Sequence, residues 1–309
     1  MVGKALVTGA AGFVGPHLLQ HLAEMGDDAS GTDLADGPDL LDSEGWRQLV
    51  ADRSPDVIYH LAGWSDVGRS WNSPAMAWRV NTEGVISVLE AARANEVGRV
   101  IVVSSADIYG IVAPDQLPIT EDSPCQPRSP YGASKEGAEA LARQYHRGRG
   151  LDVVIARPFN HIGPGQGLSF AAPAFAHQIA QCEQKSGGVV THGDLSPRRD
   201  LTDVRDVVRA YRLLATAGRA GQTYNICSGA DTAMSSLLNQ LIALADVPID
   251  TMTDAKLLRP VELPVLRGSH DRITSDTGWK PERPLNETLR DVLDDARQRL
   301  LSPPSQPAP

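Results

Sequence analysis

The chain has 309 residues, 41% of them hydrophobic and 22% charged, with a net charge of −9. That length can bury a sizeable core in one large or two medium domains, and the acidic balance argues against a nucleic-acid or anionic-membrane partner, because both need a basic face. Cys125, Cys182 and Cys227 are odd in number and lack metal-ligand spacing, so no metal site or disulfide framework is expected, and the setting reads as reducing and cytoplasmic.

In chain order, KALVTG (4–9) reads as a strand and HLLQHLAEM (17–25) as part of a helix. Between them lie Gly9, Gly12 and Gly15, where a tight turn lets backbone approach a pyrophosphate resting on a helix N-terminus. The glycines and the polar helix that follows also argue against a signal peptide. Phe13 and Val14 fall inside this turn and are assigned to the same cofactor. DASGTDL (28–34) is a second strand, and Asp33 near its end stands where an acid hydrogen-bonds the adenosine ribose. A carboxylate there repels a 2′-phosphate, so NAD(H) is favoured and NADP(H) is the second choice; the other reading of Asp33 is a turn acid opening the next loop. Asp39 and Leu40 are placed beside the adenine. DVIYHLAG (56–63) is the next strand, with Leu61 and Ala62 at the cofactor, and Asn81 opens a helix over 81–95 as either an N-cap or a cofactor contact.

RVIVVSS (99–105) is a strand ending on Ser104 and Ser105, ahead of SPYGASK. Ser129 and Pro130 supply an N-cap and a first-turn proline, and Tyr131 and Lys135, four apart, share one helix face. An ammonium close to a phenol favours the phenolate, so the pair is expected to form a tuned acid/base. LDVVIARPFN (151–160) is a further strand and HIGPGQGLS (161–169) a loop. Apolar strands separated by helices predict a Rossmann-type doubly wound parallel α/β sheet. Residues 1–165 form the dinucleotide-binding domain, with part of 200–230 packing back on it. Residues 166–301 form mainly a smaller C-terminal substrate domain, and the Pro-rich 302–309 a disordered tail. No stretch reaches the roughly 20 apolar residues of a membrane span.

Taken together these motifs resemble the extended short-chain dehydrogenase/reductases that act on nucleotide-sugars. In the second half, ARPFNHIGPGQ, RRDLTDVRDVV, YNICSG, LRPVELPVLRGSH and TGWKPERPL are similar in order and spacing to the GDP-4-keto-6-deoxy-D-mannose reductases, relatives of GDP-mannose 4,6-dehydratase. The resemblance implies NAD(P)H-dependent reduction of the 4-keto group of a GDP-4-keto-6-deoxy-hexose to GDP-D-rhamnose. It implies Ser105 as hydroxyl partner, Tyr131 as proton donor, and Lys135 as the group that lowers the Tyr pKa and grips the nicotinamide ribose. Asn160 and Arg199 are implied at the sugar diphosphate, and Arg259 and Glu262 at the guanosine ribose and phosphate. It also implies a homodimer built on paired helices.

The sugar-nucleotide dehydratases carry a Glu two residues after the hydroxyl residue, where it removes a proton from the sugar's C5. This chain has Ala106 and the shorter Asp107 in SSADIYG, which weakens that alternative and leaves Asp107 as a pocket-lining or structural group. Reductases of this type often carry Ser or Arg near the position of Asp33 and use NADPH. The alternatives are a 4,6-dehydratase or 4-epimerase of the same superfamily, and a non-catalytic NAD(H)-binding regulatory protein, which would have no use for Ser105, Tyr131 and Lys135.

Overall fold

The computed structural model describes residues 3–258 and 263–301. Five strands follow the expected order: β1 (Lys4–Thr8), β2 (Asp28–Thr32), β3 (Val57–His60), β4 (Arg99–Val103) and β5 (Val153–Pro158). Three strands outside their sheet come next, β6 (Asn160–Ile162), β7 (Gly188–His192) and β8 (Arg198–Asp203), before β9 (Thr223–Ile226) returns to it. The six-stranded sheet has the order β2-β1-β3-β4-β5-β9 and is parallel throughout.

β3 and β5 are buried at every position, as strands covered on both faces must be. On one face the helices Val14–Glu24 and Val204–Ala217 press Leu18, Leu22, Val207 and Tyr211 against Val7 and Tyr59. On the other, the helices Ser43–Arg53, Gly84–Ala94 and Pro130–Arg149 bring Val50, Val88, Leu89 and Ala142 against Leu6 and Ile58. The first of these three helices offers only one short apolar triplet in the sequence, Trp46, Leu49 and Val50. It buries only Trp46 and Val50, and it starts where the Asp42 side chain accepts from the Gly45 N–H at 3.0 Å.

Two local expectations change. Asn81 does not open a helix: Pro74–Trp78 runs through a π-helical turn, Arg79–Glu83, into Gly84–Ala94, so Asn81 sits inside a continuous helical stretch. Residues 161–169 are not all loop, because Asn160–Ile162 pairs with β8 in the register Asn160↔Leu201, His161↔Thr202. A neighbouring strand supplied the pairing that local composition does not reveal. A second core gathers Phe175, Ile179, Leu237, Leu241, Leu289 and Leu293 from the helices Ala171–Gln184, Met234–Ile242 and Leu285–Leu301.

β1 has β2 on one side and β3 on the other, so successive crossovers leave it in opposite directions. In open α/β sheets that arrangement leaves a crevice outside the carboxyl ends of the strands. The end of β1 and the end of β3 both open there, and the cavity described next occupies it.

Candidate active site

A cavity of about 610 Å³ runs from the glycine turn to the start of the Pro130–Arg149 helix. The three glycines do different jobs. Gly9 has φ +71°, and a Cβ on it would lie 2.7 Å from the Ala62 nitrogen, so only glycine makes this turn against the end of β3. A Cβ on Gly15 would lie 2.4 Å from the Ala10 carbonyl oxygen, so this glycine sets the close approach of helix and turn. Around Gly12 a Cβ would meet only the Gly9 carbonyl oxygen within 4 Å, at 3.2 Å, which leaves backbone bare toward the cavity. An exposed backbone face at a helix N-terminus is the donor chemistry a pyrophosphate needs, so these residues fit a dinucleotide.

Phe13, Val14, Asp33, Asp39, Leu40, Leu61 and Ala62 all line the cavity. Asp33 follows β2 and is braced by the glycine turn: its Oδ2 accepts from the Ala11 N–H at 2.9 Å and its Oδ1 from the Leu34 N–H at 2.8 Å. Asp39 accepts from the Leu41 N–H at 2.8 Å, and its carbonyl takes the Trp46 indole N–H at 3.0 Å, which ties Trp46 into the same wall. Asn81 is buried and does not line the cavity. Its Oδ1 accepts from the Trp64 N–H at 2.8 Å and its Nδ2 donates to Ser134 Oγ at 2.9 Å, which pins the 64–66 loop to the Tyr131 helix.

At the other end stand Ser105, Tyr131 and Lys135. Ser129 caps the helix by accepting from the Gly132 N–H at 3.0 Å, with Pro130 in the first turn. Burial pushes the Tyr131 phenol well above its ordinary value and Asp107 adds to this, while a hydrogen bond from Ser105 opposes it. Lys135 is also buried, which pulls its ammonium down to about 8 against the opposing charge of Glu139, and its Nζ donates to the Val103 carbonyl at 3.0 Å. The ammonium therefore braces β4, and the phenol is held protonated instead of lowered as the residue spacing suggested. A protonated phenol beside a hydroxyl gives up a proton to a developing alkoxide.

Asp107 and Asn160 line the cavity as well. Asp107 Oδ2 accepts from Ser129 Oγ at 3.1 Å, so this carboxylate supports the helix cap. Arg199 is not part of the cavity lining; its Nη1 donates to the carbonyls of Leu263 at 2.7 Å and Arg198 at 2.9 Å. Arg259 and Glu262 lie outside the described residues. The lining also includes Trp46, Gln166, Phe170 and Tyr211, which the sequence reading did not single out. The sequence marked Gln166 only as a member of the glycine-rich stretch and of ARPFNHIGPGQ, and Phe170 only as following them. Behind Lys135, Glu139 is fully buried and gripped by Arg157 through two bonds of 2.7 Å.

Residues 5–227 match the model of the NAD dependent epimerase/dehydratase family. The chain is 38% identical over 302 residues to GDP-6-deoxy-D-mannose reductase of Pseudomonas aeruginosa, which covers 97% of this chain and 99% of that one. It is 30% identical over 311 residues to UDP-glucose 4-epimerase of Streptomyces lividans, covering 92% and 93%. A solved structure of RMD from Pseudomonas aeruginosa complexed with NADPH aligns with a TM-score of 0.88 at 38% identity, over 96% of this chain and 98% of that one. UDP-glucose 4-epimerase of Thermus thermophilus in complex with NAD aligns with a TM-score of 0.85 at 26% identity, over 95% and 99%. A glycine cradle at the sheet's switch point, a Ser, Tyr and Lys at the far end of one cavity, and a family match across the whole parallel sheet converge: the chain belongs to the NAD dependent epimerase/dehydratase family.

Proposed function

We propose that this chain is an NAD(P)H-dependent reductase of the 4-keto group of a GDP-4-keto-6-deoxy-hexose, giving GDP-D-rhamnose. The likeness to GDP-6-deoxy-D-mannose reductase over nearly the full length of both chains supports the substrate class. The observation that carries reductase over dehydratase is at Asp107, whose carboxylate is engaged by the Ser129 cap. A dehydratase needs a base in contact with the sugar's C5 proton, at about 3 Å, and a short side chain already holding a helix cap is poorly suited to that.

Gly9, Gly12, Gly15, Asp33 and Leu40 would hold the dinucleotide, which supplies the hydride. Tyr131 donates the proton to the alkoxide oxygen, Ser105 shares that oxygen, and Lys135 steadies the phenolate left behind and binds the ribose next to the reacting ring. Asn160, Arg199, Arg259 and Glu262 are assigned to the sugar nucleotide, with residues 166–301 forming most of its side of the cleft. Guanidinium forks suit diphosphate oxygens, and a carboxylate suits ribose hydroxyls.

Given GDP-4-keto-6-deoxy-mannose, the purified protein is expected to oxidise one equivalent of NADH or NADPH, and given GDP-mannose with NAD⁺ alone, to release no keto sugar. Keto product from GDP-mannose without added reductant would put the dehydratase first, and cofactor binding without turnover would favour the regulatory reading. Within the reductase reading, Asp33 favours NAD(H). Asp33→Ser combined with Leu34→Arg should shift the ratio of kcat/KM values toward NADPH by about tenfold or more, equivalent to 1.4 kcal/mol; an unchanged ratio removes Asp33 from cofactor selection.

The same reading places the protein in the cytoplasm as a homodimer. Among the described residues no helix is long and apolar enough to cross a membrane. The small residues of GASKEGAEALA are partly used within one subunit, since a Cβ on Gly137 would lie 2.9 Å from Thr82 and 3.0 Å from Trp78. Trp71, Met76 and Trp78 nevertheless remain 38%, 46% and 43% exposed in the segments next to that helix, apolar surface available to a second copy. Light scattering at micromolar concentration should give twice the 33.1 kDa chain mass, and a monomer would sink the dimer.

A further inference from the structure

Tyr131 is the second residue of its helix, where backbone N–H groups have no partner inside the helix itself. The cap supplies part of what is missing. Pro130 has no N–H, Ser129 Oγ accepts from the Gly132 N–H at 3.0 Å, and the Ser129 carbonyl accepts from the Ala133 N–H at 3.0 Å. The Tyr131 N–H is left over, and it donates to Ser70 Oγ at 3.2 Å, in a buried bond that spans 61 residues of sequence.

Ser70 is fully buried and ends the short helix Val67–Ser70. Its one hydroxyl proton goes to the Val67 carbonyl at 2.7 Å, which leaves the lone pairs for Tyr131. The Tyr131 carbonyl is reached through the same part of the chain. Ser134 Oγ donates to it at 2.7 Å and accepts from Asn81 Nδ2 at 2.9 Å, and Asn81 Nδ2 also donates to the Trp64 carbonyl at 3.1 Å. Both backbone polar groups of Tyr131 are therefore tied to residues 64–81, and Ser65 and Val67 of that segment line the same cavity as Tyr131. The segment is braced within itself, since Asp66 Oδ1 accepts from the Arg69 N–H at 2.9 Å and the Arg69 guanidinium lies 5.4 Å from the Trp64 ring centroid.

A phenol carried on the first turn of a helix moves with that turn, and proton transfer needs heavy-atom contact at about 3 Å. We propose that Ser70 is a positioning residue of this site: by holding the Tyr131 N–H it sets where the phenol meets the oxygen of the bound substrate. The inference rests on the reading of Tyr131 as proton donor. The test is a double-mutant cycle over the wild type, Ser70→Ala, Tyr131→Phe and the double variant. In each protein kcat, KM for GDP-4-keto-6-deoxy-mannose and Kd for NADH are measured, together with urea denaturation.

Ser70→Ala should lower kcat by about 10- to 10²-fold and leave KM and Kd within about twofold of the wild type. In the Tyr131→Phe background, where there is no phenol to misplace, the same substitution should change kcat by less than about twofold. An equal loss of kcat in both backgrounds overturns the proposal, because the effect then does not pass through the phenol. So does a lowered urea midpoint with unchanged kcat, the mark of a purely structural hydroxyl, and so does a loss of turnover matched by weaker NADH binding. Should Ser70→Ala fail to fold, Ser70→Cys takes its place with the same expectations, since it fills the site and is only a weak acceptor. Failure of the underlying reading shows separately, as near-normal turnover in Tyr131→Phe, and overturns both.

Discussion

Tyr131→Phe should lower kcat by about 10²- to 10⁴-fold, the usual loss for a positioned proton donor, with KM for the keto sugar little changed. The substitution removes one oxygen from a ring that is 8% exposed and packed at the start of its helix, so the fold should tolerate it. Burial and Asp107 keep this phenol protonated through the neutral range, so its own titration does not limit the rate there. In the proposed mechanism Lys135 sets the limit instead. Burial lowers its ammonium to about 8, and the charged form is the one assigned to steadying the phenolate. In the wild type, kcat/KM should therefore fall as pH rises through about 8, because that ratio reports groups of the free enzyme. Near-normal turnover in Tyr131→Phe would take this residue out of the chemistry, and a flat profile from pH 7 to 9 would take Lys135 out of it.

Arg157→Met should destabilise the fold by about 3 kcal/mol or more, the scale of breaking a buried ion pair by removing one partner. Glu139 is wholly buried one helical turn beyond Lys135, and Arg157 itself is 4% exposed. Arg157 also donates to the Tyr109 hydroxyl at 2.8 Å, which in turn donates to Asn225 at 2.7 Å, so the pair joins the Tyr131 helix to β5 and β9. Without Arg157, Glu139 keeps its 2.7 Å bond to the half-buried Arg143 and the charge of Lys135 one helical turn away. Urea denaturation measures the loss, and a change below about 1 kcal/mol would mean that Arg143 compensates. Burial alone would raise the Glu139 carboxyl, but the hydrogen bonds and charge of Arg157 outweigh it and leave the group below its ordinary 4.5. A carboxyl depressed in the folded state contributes stability that is complete above that ordinary value and is lost as pH falls through the folded one. The wild type should therefore lose part of its stability margin below about pH 4.5, and Arg157→Met should lose less over the same interval.

Much of the parallel sheet was legible because its signals are local. β1, β3, β4 and β5 are short apolar runs with few polar interruptions, and the turn after β1 announces itself by glycines that the backbone needs at Gly9 and Gly15. Ser129, Pro130, Tyr131 and Lys135 were legible for the same reason, since capping and four-residue spacing are properties of a single helix. The helix Ser43–Arg53 was not, because Trp46, Leu49 and Val50 make a single apolar triplet among polar residues, too short a pattern to mark a helix by itself. Nor was β6, which is a strand only because β8 lies beside it.

The residues themselves determined which chemical groups this protein has: a glycine turn ahead of a helix, an acid after the second strand, a phenol, a hydroxyl and an ammonium. Tertiary structure decided what state those groups are in and what they face. Spacing put an ammonium near a phenol, but burial and Asp107 set that phenol's protonation, and the Val103 carbonyl claimed the ammonium. It also decided that Asn81 would brace the Trp64 loop, that Asp107 would hold a helix cap, and that Gln166 would join the cavity lining while bonded to the His161 carbonyl. Desolvation and hydrogen-bond partnership depend on every element that surrounds a group, and no single stretch of sequence contains them.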